Sequence, residues 1–269
     1  MYININGNNI YYDIIGKGTP IIMLHGWGVD HKIMSGCFES VFDKENDTYM
    51  RIYLDLPGMG LSKRNEDIKN SDDMLNVICK FIDEIIPNRE FILCGESYGG
   101  YLARGLVKAY PDKIAGLILL CPLIVPGYHK GSVPPLTVLE EDKEFISKLP
   151  QEERESFEWL SVIRNKKTYT QFINDIYVDF KLHDRYFLDN ILDGSFSYDV
   201  DDLDKSFEKP CLIMTGRQDT EVGYKDQFKL IDNYPNATYI ALNRAGHNLQ
   251  IEQSELFTSI LKGWLNDNF

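Results

Sequence analysis

A serine, a histidine and an aspartate stand in this chain in an order and in settings that can make a weak hydroxyl reactive. Ser97 lies in Gly95-Glu96-Ser97-Tyr98-Gly99, between the apolar run Phe91-Ile92-Leu93-Cys94 and a helix-like segment at 100–107. A serine flanked by glycines between strand and helix is the nucleophile-elbow pattern. So tight a turn strains the serine backbone, and the positions two residues away have room for almost no side chain. Such a turn pushes Ser97 Oγ out at the sheet edge. It leaves the Tyr98 amide at a helix N-terminus, where backbone donors and the helix dipole favour negative charge. Gly-x-Ser-x-Gly is common in loops, and the strand before and helix after are what give it weight.

A serine hydroxyl needs a base to take its proton and a third group to hold that base. The histidines are His25, His31, His129, His183 and His247. His25, in the turn after a core strand, reads as structural, and His31, His129 and His183 fall in helix starts or in the region 123–208. His247, in Arg244-Ala245-Gly246-His247-Asn248, follows the last strand-like run, at the sheet edge where open α/β folds bind ligands. It is the expected general base. Asp219, in Thr215-Gly216-Arg217-Gln218-Asp219 after another strand-like run, is the expected orienting acid, with Glu221 as the alternative. A turn aspartate that bonds only its own backbone is the plainer reading of Asp219. The second oxyanion donor is expected from His25-Gly26-Trp27-Gly28: the amide of Trp27 would join that of Tyr98. The Trp27 and Trp159 side chains are expected to contact substrate.

The elements that must position these residues alternate. Tyr2–Asn6 and Ile10–Ile15 flank Gly7-Asn8-Asn9, a hairpin signal. The continuous apolar run Pro20–Leu24 suggests a strand buried on both faces of a parallel sheet, and similar runs recur at Thr48–Leu54, Glu90–Cys94, Ile114–Cys121, Cys211–Thr215 and Thr238–Leu242. A helix opening at a cap-like Ser71 and others at Gln227–Tyr234 and Leu256–Leu265 lie between them. The pattern predicts an α/β fold with a mostly parallel, doubly wound sheet of about eight strands. The alternation breaks between Leu123 and Lys209, where turn-rich sequence gives way to helical patterns at Glu140–Leu149, Glu152–Ile163, Tyr169–Leu182 and Arg185–Leu192. Residues 1–122 and 209–269 therefore read as one core domain and 123–208 as an inserted helical cap, too long for a structureless loop. The acid-rich Asp199–Asp204 reads as a solvated connector.

The 269 residues are 43% hydrophobic and 26% charged, ordinary for a globular protein with a sizeable core. A net charge of −13 carries no basic nucleic-acid footprint and is repelled on average by an anionic membrane surface. No signal-peptide pattern opens the chain, and no apolar run approaches the roughly 20 residues that span a bilayer. The cysteines Cys37, Cys79, Cys94, Cys121 and Cys211 are scattered, without a Cys-x-x-Cys pair. They read as reduced, core-filling thiols in a cytoplasmic protein, and no metal site or cofactor is expected.

Taken in order, His25-Gly26-Trp27-Gly28, Asp55-Leu56-Pro57-Gly58-Met59-Gly60-Leu61-Ser62, Gly95-Glu96-Ser97-Tyr98-Gly99-Gly100, Gly216-Arg217-Gln218-Asp219 and Gly246-His247 resemble the α/β-hydrolase fold superfamily, in its serine-nucleophile, cap-containing branch. The resemblance spans nearly the whole chain. It implies the triad Ser97, Asp219 and His247, and a structural role for Asp55, Gly58, Gly60 and Ser62. Glu96 departs from the histidine or asparagine common before the nucleophile, and an exposed carboxylate is expected there. Serine where dehalogenases and epoxide hydrolases of this fold carry aspartate implies an acyl-enzyme or triad-driven proton transfer. The expected function is a serine hydrolase cleaving a small carboxylic ester or related acyl substrate. A carbon–carbon bond hydrolase or lyase on the same triad is the alternative, as is a ligand-sensing signalling protein, the one reading that requires a protein partner. The aromatics Phe145, Phe157, Trp159, Tyr169, Phe172, Tyr177, Phe180, Tyr186 and Phe187 are expected mainly to pack the cap on itself, with some lining an apolar substrate pocket.

Overall fold

Asn6 and Gly7, both at positive φ (51° and 83°), form the turn joining Tyr2–Ile5 (β1) to Asn8–Gly16 (β2) in an antiparallel hairpin. Positive φ at both turn positions matches the twist of the flanking strands. The structure, a computed structural model, describes residues 1–42, 48–127, 131–177 and 182–269. After the hairpin come Thr19–Leu24 (β3), Tyr49–Leu54 (β4), Phe91–Glu96 (β5) and Ile114–Leu120 (β6). Two short strands, Glu140–Glu141 (β7) and Ile163–Arg164 (β8), pair apart from the main sheet, which Cys211–Gly216 (β9) and Ala237–Leu242 (β10) complete. The eight-stranded order is β1-β2-β4-β3-β5-β6-β9-β10, with every pair from β4 to β10 parallel.

Strand residues alternate between two cores. Ile22, Leu24, Leu93, Leu117 and Leu119 face one side; Ile21, Met23, Ile92, Cys94, Ile118 and Leu120 face the other. This two-residue period within continuous apolar runs is that of strands covered on both faces. Helices α2 (Ser71–Ile85) and α3 (Tyr98–Ala109) cover the first side. Helices α1 (Lys32–Phe38) and α9 (Ser254–Asn268) cover the second. Asn70, not Ser71, caps α2, its side chain accepting from the Asp73 amide at 3.0 Å. Ser71 is buried one position inside, where its hydroxyl meets the Tyr98 hydroxyl at 2.8 Å.

Between β6 and β9 lie α4 (Lys143–Ile146), α5 (Gln151–Leu160), α6 (Lys166–Phe172) and α7 (Arg185–Asn190). The helix expected to run to Ile163 stops at Leu160, because residues 163 and 164 pair with β7. Helix α6 starts at a capping box of Asn165 and Thr168 and continues as a π-helical turn, Ile173–Tyr177. The rest of the Tyr169–Leu182 pattern up to residue 181, with Phe180, and Tyr128 and His129 earlier, lie outside the described residues. Gln227–Asp232 forms a 3-10 helix rather than an α-helix. Asp199–Asp204 is not wholly solvated. Asp201 takes both ends of the fully buried Arg104 guanidinium, at 2.7 and 3.2 Å, while Arg104 also donates to the Leu123 carbonyl.

Candidate active site

Ser97 sits at φ 50°, ψ −116°, between the end of β5 and the first residue of α3. The flanking glycines explain how the chain tolerates it. A Cβ on Gly95 would lie 2.3 Å from the Gly99 carbonyl oxygen, and one on Gly99 would lie 2.2 Å from that of Leu24. Neighbouring backbone groups hold the turn: the Ser97 amide donates to Leu120, and its carbonyl accepts from Gly100, Tyr101 and Leu123.

His247 reaches the serine from the loop after β10. Its Nε2 lies 3.0 Å from Ser97 Oγ and its Nδ1 2.9 Å from Asp219 Oδ2. Asp219 is fully buried, and its other oxygen accepts from the Glu221 and Val222 amides at 2.8 and 3.0 Å. This orients the carboxylate before the imidazole arrives. Glu221, the alternative acid, supplies a backbone donor to Asp219. Burial disfavours a charged His247, but the charge and hydrogen bond of Asp219, and the charge of Glu96, outweigh it and raise the imidazole pKa.

Glu96 is not the exposed side chain the sequence suggested. It is 1% exposed, with Oε1 3.4 Å from His247 Nε2 and Oε2 without a hydrogen-bond partner among the described residues. Burial raises its carboxyl to about 7, against the opposing charge of His247. A Cβ on Gly26 would come within 2.4 Å of Glu96 Oε2 and 3.1 Å of Ser97 Cβ, so the loop after β3 packs directly on the elbow. The loop at Gly26 and the approach of His247 bury it, and nothing local in the sequence marks those contacts.

Glu252 is a second buried carboxylate that the sequence reading passed over. At the end of the short helix α8 (Leu249–Glu252), it accepts from the Gly246 amide at 2.5 Å, Val162 at 2.6 Å and Ile163 at 3.2 Å. It ties the loop of His247 to the segment after α5. Nothing local in the sequence marks it.

Ser97 and His247 lie on a cavity of about 830 Å³. Trp27, Tyr98, Trp159, Leu160, Ile176 and Leu188 supply apolar and aromatic wall. The Trp27 ring packs edge-on to Tyr98 at 5.0 Å. Tyr98, as the first residue of α3, has an amide with no carbonyl one helical turn before it within the helix. Of the aromatics expected from the region 123–208, Trp159 alone lines the cavity among the described residues. Phe145, Phe157, Tyr169, Phe172 and Tyr177 pack in a chain of ring contacts instead.

The remaining polar motifs are architectural. Asp55 accepts from the His31 and Leu61 amides and the His31 ring, while Ser62 Oγ donates to the Asp55 carbonyl. His25 Nε2 accepts from the Leu56 amide. Asp30, His31 and Asp55 offer metal-ligand atoms within 4.8 Å, as do Cys121, Asp219 and His247. The Asp55 and Asp219 oxygens are taken by the donors just named. Burial keeps the Cys121 thiol well above its ordinary pKa, hence protonated and a poor ligand. The cysteines are free thiols, buried except for the half-buried Cys79.

Residues 19–254 match the family described as serine aminopeptidase, S33. The chain belongs to this family of α/β hydrolases. The hydrolase is 35% identical to an α/β superfamily hydrolase from Oenococcus oeni PSU-1, with a TM-score of 0.87 over 96% of this chain and 95% of that one. It is 25% identical to a pimeloyl-[acyl-carrier protein] methyl ester esterase of Legionella pneumophila (strain Corby), over 94% of this chain and 98% of that protein. It is 24% identical to a 2-hydroxy-6-oxononadienedioate/2-hydroxy-6-oxononatrienedioate hydrolase of Paraburkholderia phymatum, over 95% of this chain and 90% of that one. No helix among the described residues is long and apolar enough to cross a membrane.

Proposed function

We propose that the hydrolase cleaves small carboxylic esters with Ser97 as nucleophile, His247 as general base and acid, and Asp219 as the group that orients His247. The observation that carries this reading is the unbroken Ser97–His247–Asp219 hydrogen-bond chain, at 3.0 and 2.9 Å, on the wall of a cavity sized for a small molecule. Ser97 Oγ attacks the ester carbonyl carbon as its proton passes to His247 Nε2. The negative oxygen of the tetrahedral intermediate takes the Trp27 and Tyr98 amides. As the intermediate collapses, the carbon–oxygen bond to the alcohol breaks, and the alcohol leaves with the proton from His247. Water then repeats the sequence on the acyl-enzyme, giving its proton to His247. The free acid departs and Ser97 regains its hydrogen.

Residues 123–208 act as a cap over this site, Trp27 and Trp159 contact substrate, and the protein works in the cytoplasm. The free cysteines support a reducing compartment. The second reading, carbon–carbon bond hydrolysis, is favoured by the Paraburkholderia relative. That relative's named substrates are dicarboxylates, and the described lining of this cavity offers no lysine or arginine to receive them. The test is hydrolysis of p-nitrophenyl butanoate by the wild-type protein and by Ser97→Ala. Loss of the triad serine should lower kcat at least about 10³-fold. Retained turnover in the variant would refute the assignment.

A further inference from the structure

The cavity beside Ser97 carries an unusual set of charges. Among its described lining residues, Glu96, Asp189, Asp193 and Glu221 bear carboxylates, and none is lysine or arginine. They run from floor to rim: Glu96 is buried, Glu221 half-buried, Asp189 and Asp193 exposed. Asp189 has a cation near it, Arg185 Nε at 3.8 Å, but both side chains are largely in water, where such a pair is weak.

Glu96 is the decisive residue, because its Oε2 is buried on the wall of an open cavity with no hydrogen-bond partner among the described residues. Its Oε1 faces His247 Nε2 at 3.4 Å, but a buried carboxylate oxygen left without a donor, as Oε2 is, is unfavourable, and a ligand that brings a donor or a further positive charge relieves it. Trp27 and Trp159 line the same cavity and are 37% and 61% exposed. Carboxylates combined with tryptophan rings are the chemistry that recognises ammonium groups, above all quaternary ones.

We propose that Glu96, the outer carboxylates and the two tryptophans form a cation-accepting subsite, so that the preferred ester carries an ammonium group on its acyl or its alcohol part. This rests on the ester-hydrolase reading above and narrows its substrate class. It also separates this hydrolase from the relative whose named substrates are dicarboxylates.

Two matched substrate series test it. On the acyl side the methyl esters of 4-(trimethylammonio)butanoate, 5,5-dimethylhexanoate and glutarate differ in charge at similar size. On the alcohol side, 2-(trimethylammonio)ethyl acetate is compared with its uncharged isostere, 3,3-dimethylbutyl acetate. The expected result is a kcat/KM about tenfold or more higher for the cation than for the neutral ester in at least one series, with the glutarate ester poorest. Salt should shrink the ratio, and Glu96→Gln should bring it toward one. If Glu96→Gln does not fold, Glu221→Gln and Asp193→Asn at the rim should each lower the same ratio. A ratio near one in both series, or a preference for glutarate, overturns the subsite. Failure of the ester reading looks different: even the neutral esters would then resist Ser97-dependent hydrolysis. Calorimetric titration with choline against 3,3-dimethylbutanol reads the subsite without turnover, and equal binding of the two counts against it.

Discussion

Glu96→Gln tests the electrostatics of the site through stability rather than rate. In the folded protein the Glu96 carboxyl titrates at about 7, against 4.5 for an unperturbed glutamate. Burial is the largest cause, and the positive charge of His247 offsets part of it. A raised carboxyl pKa means that the folded state holds the proton more tightly than the unfolded state does. The associated stability is complete below about pH 4.5 and is lost as pH rises through about 7, where the folded group must also ionise. That interval corresponds to about 3 kcal/mol at most. Glutamine keeps the shape and cannot ionise, so the variant escapes the loss. Urea unfolding of both proteins at pH 5 and pH 8 is the assay. The variant should gain up to about 3 kcal/mol relative to wild type between the two pH values, whatever its offset at pH 5. A wild-type-to-variant difference that does not change with pH would refute the claim that Glu96 is a buried, strained carboxyl.

Three further perturbations follow from the packing. Asp201→Ala strands the fully buried Arg104 guanidinium and should cost about 3–5 kcal/mol in denaturant unfolding, whereas an exposed connector residue would cost almost nothing. Gly95→Ala drives a methyl group onto the Gly99 backbone, so the elbow cannot close; the variant should lose labelling by a fluorophosphonate probe even where circular dichroism shows folded protein. Asp219→Asn should lower kcat by about 10⁴-fold, as expected when the base loses its orienting carboxylate. It should also move the acid limb of the kcat/KM profile to lower pH, because Asp219 is the main influence raising the His247 pKa against burial. A limb that stays in place would contradict the pairing.

The parts of this site that were legible in the sequence are those fixed by local sterics and chain order. Gly95 and Gly99 announce the elbow because only hydrogen fits against the neighbouring carbonyls. Asp219 and His247 follow strands that end at the same sheet edge, so their order and position sufficed to bring them together. The continuous apolar runs likewise marked the parallel strands to within a residue or two. What was hidden depends on contacts between distant segments. Glu96 looked like a surface glutamate because its burial comes from the loop at Gly26 and the approach of His247. Glu252 satisfies amides at residues 162, 163 and 246, and Asp201 pairs with a helix about a hundred positions earlier. The aromatics of the inserted region carry helical spacing, yet spacing does not say which one meets the cavity. Trp159 stands next to Leu160, the last residue of α5, and both line the cavity.

The measurement that bears most directly on the assignment is mass spectrometry of the protein after reaction with a fluorophosphonate, which traps an activated serine as a stable phosphonyl ester. The account predicts one adduct, on the peptide that contains Ser97, with loss of esterase activity in proportion to labelling. It predicts that His247→Ala abolishes the adduct while the fold is retained. An adduct on another residue, or ester hydrolysis that continues undiminished in fully labelled protein, would contradict it.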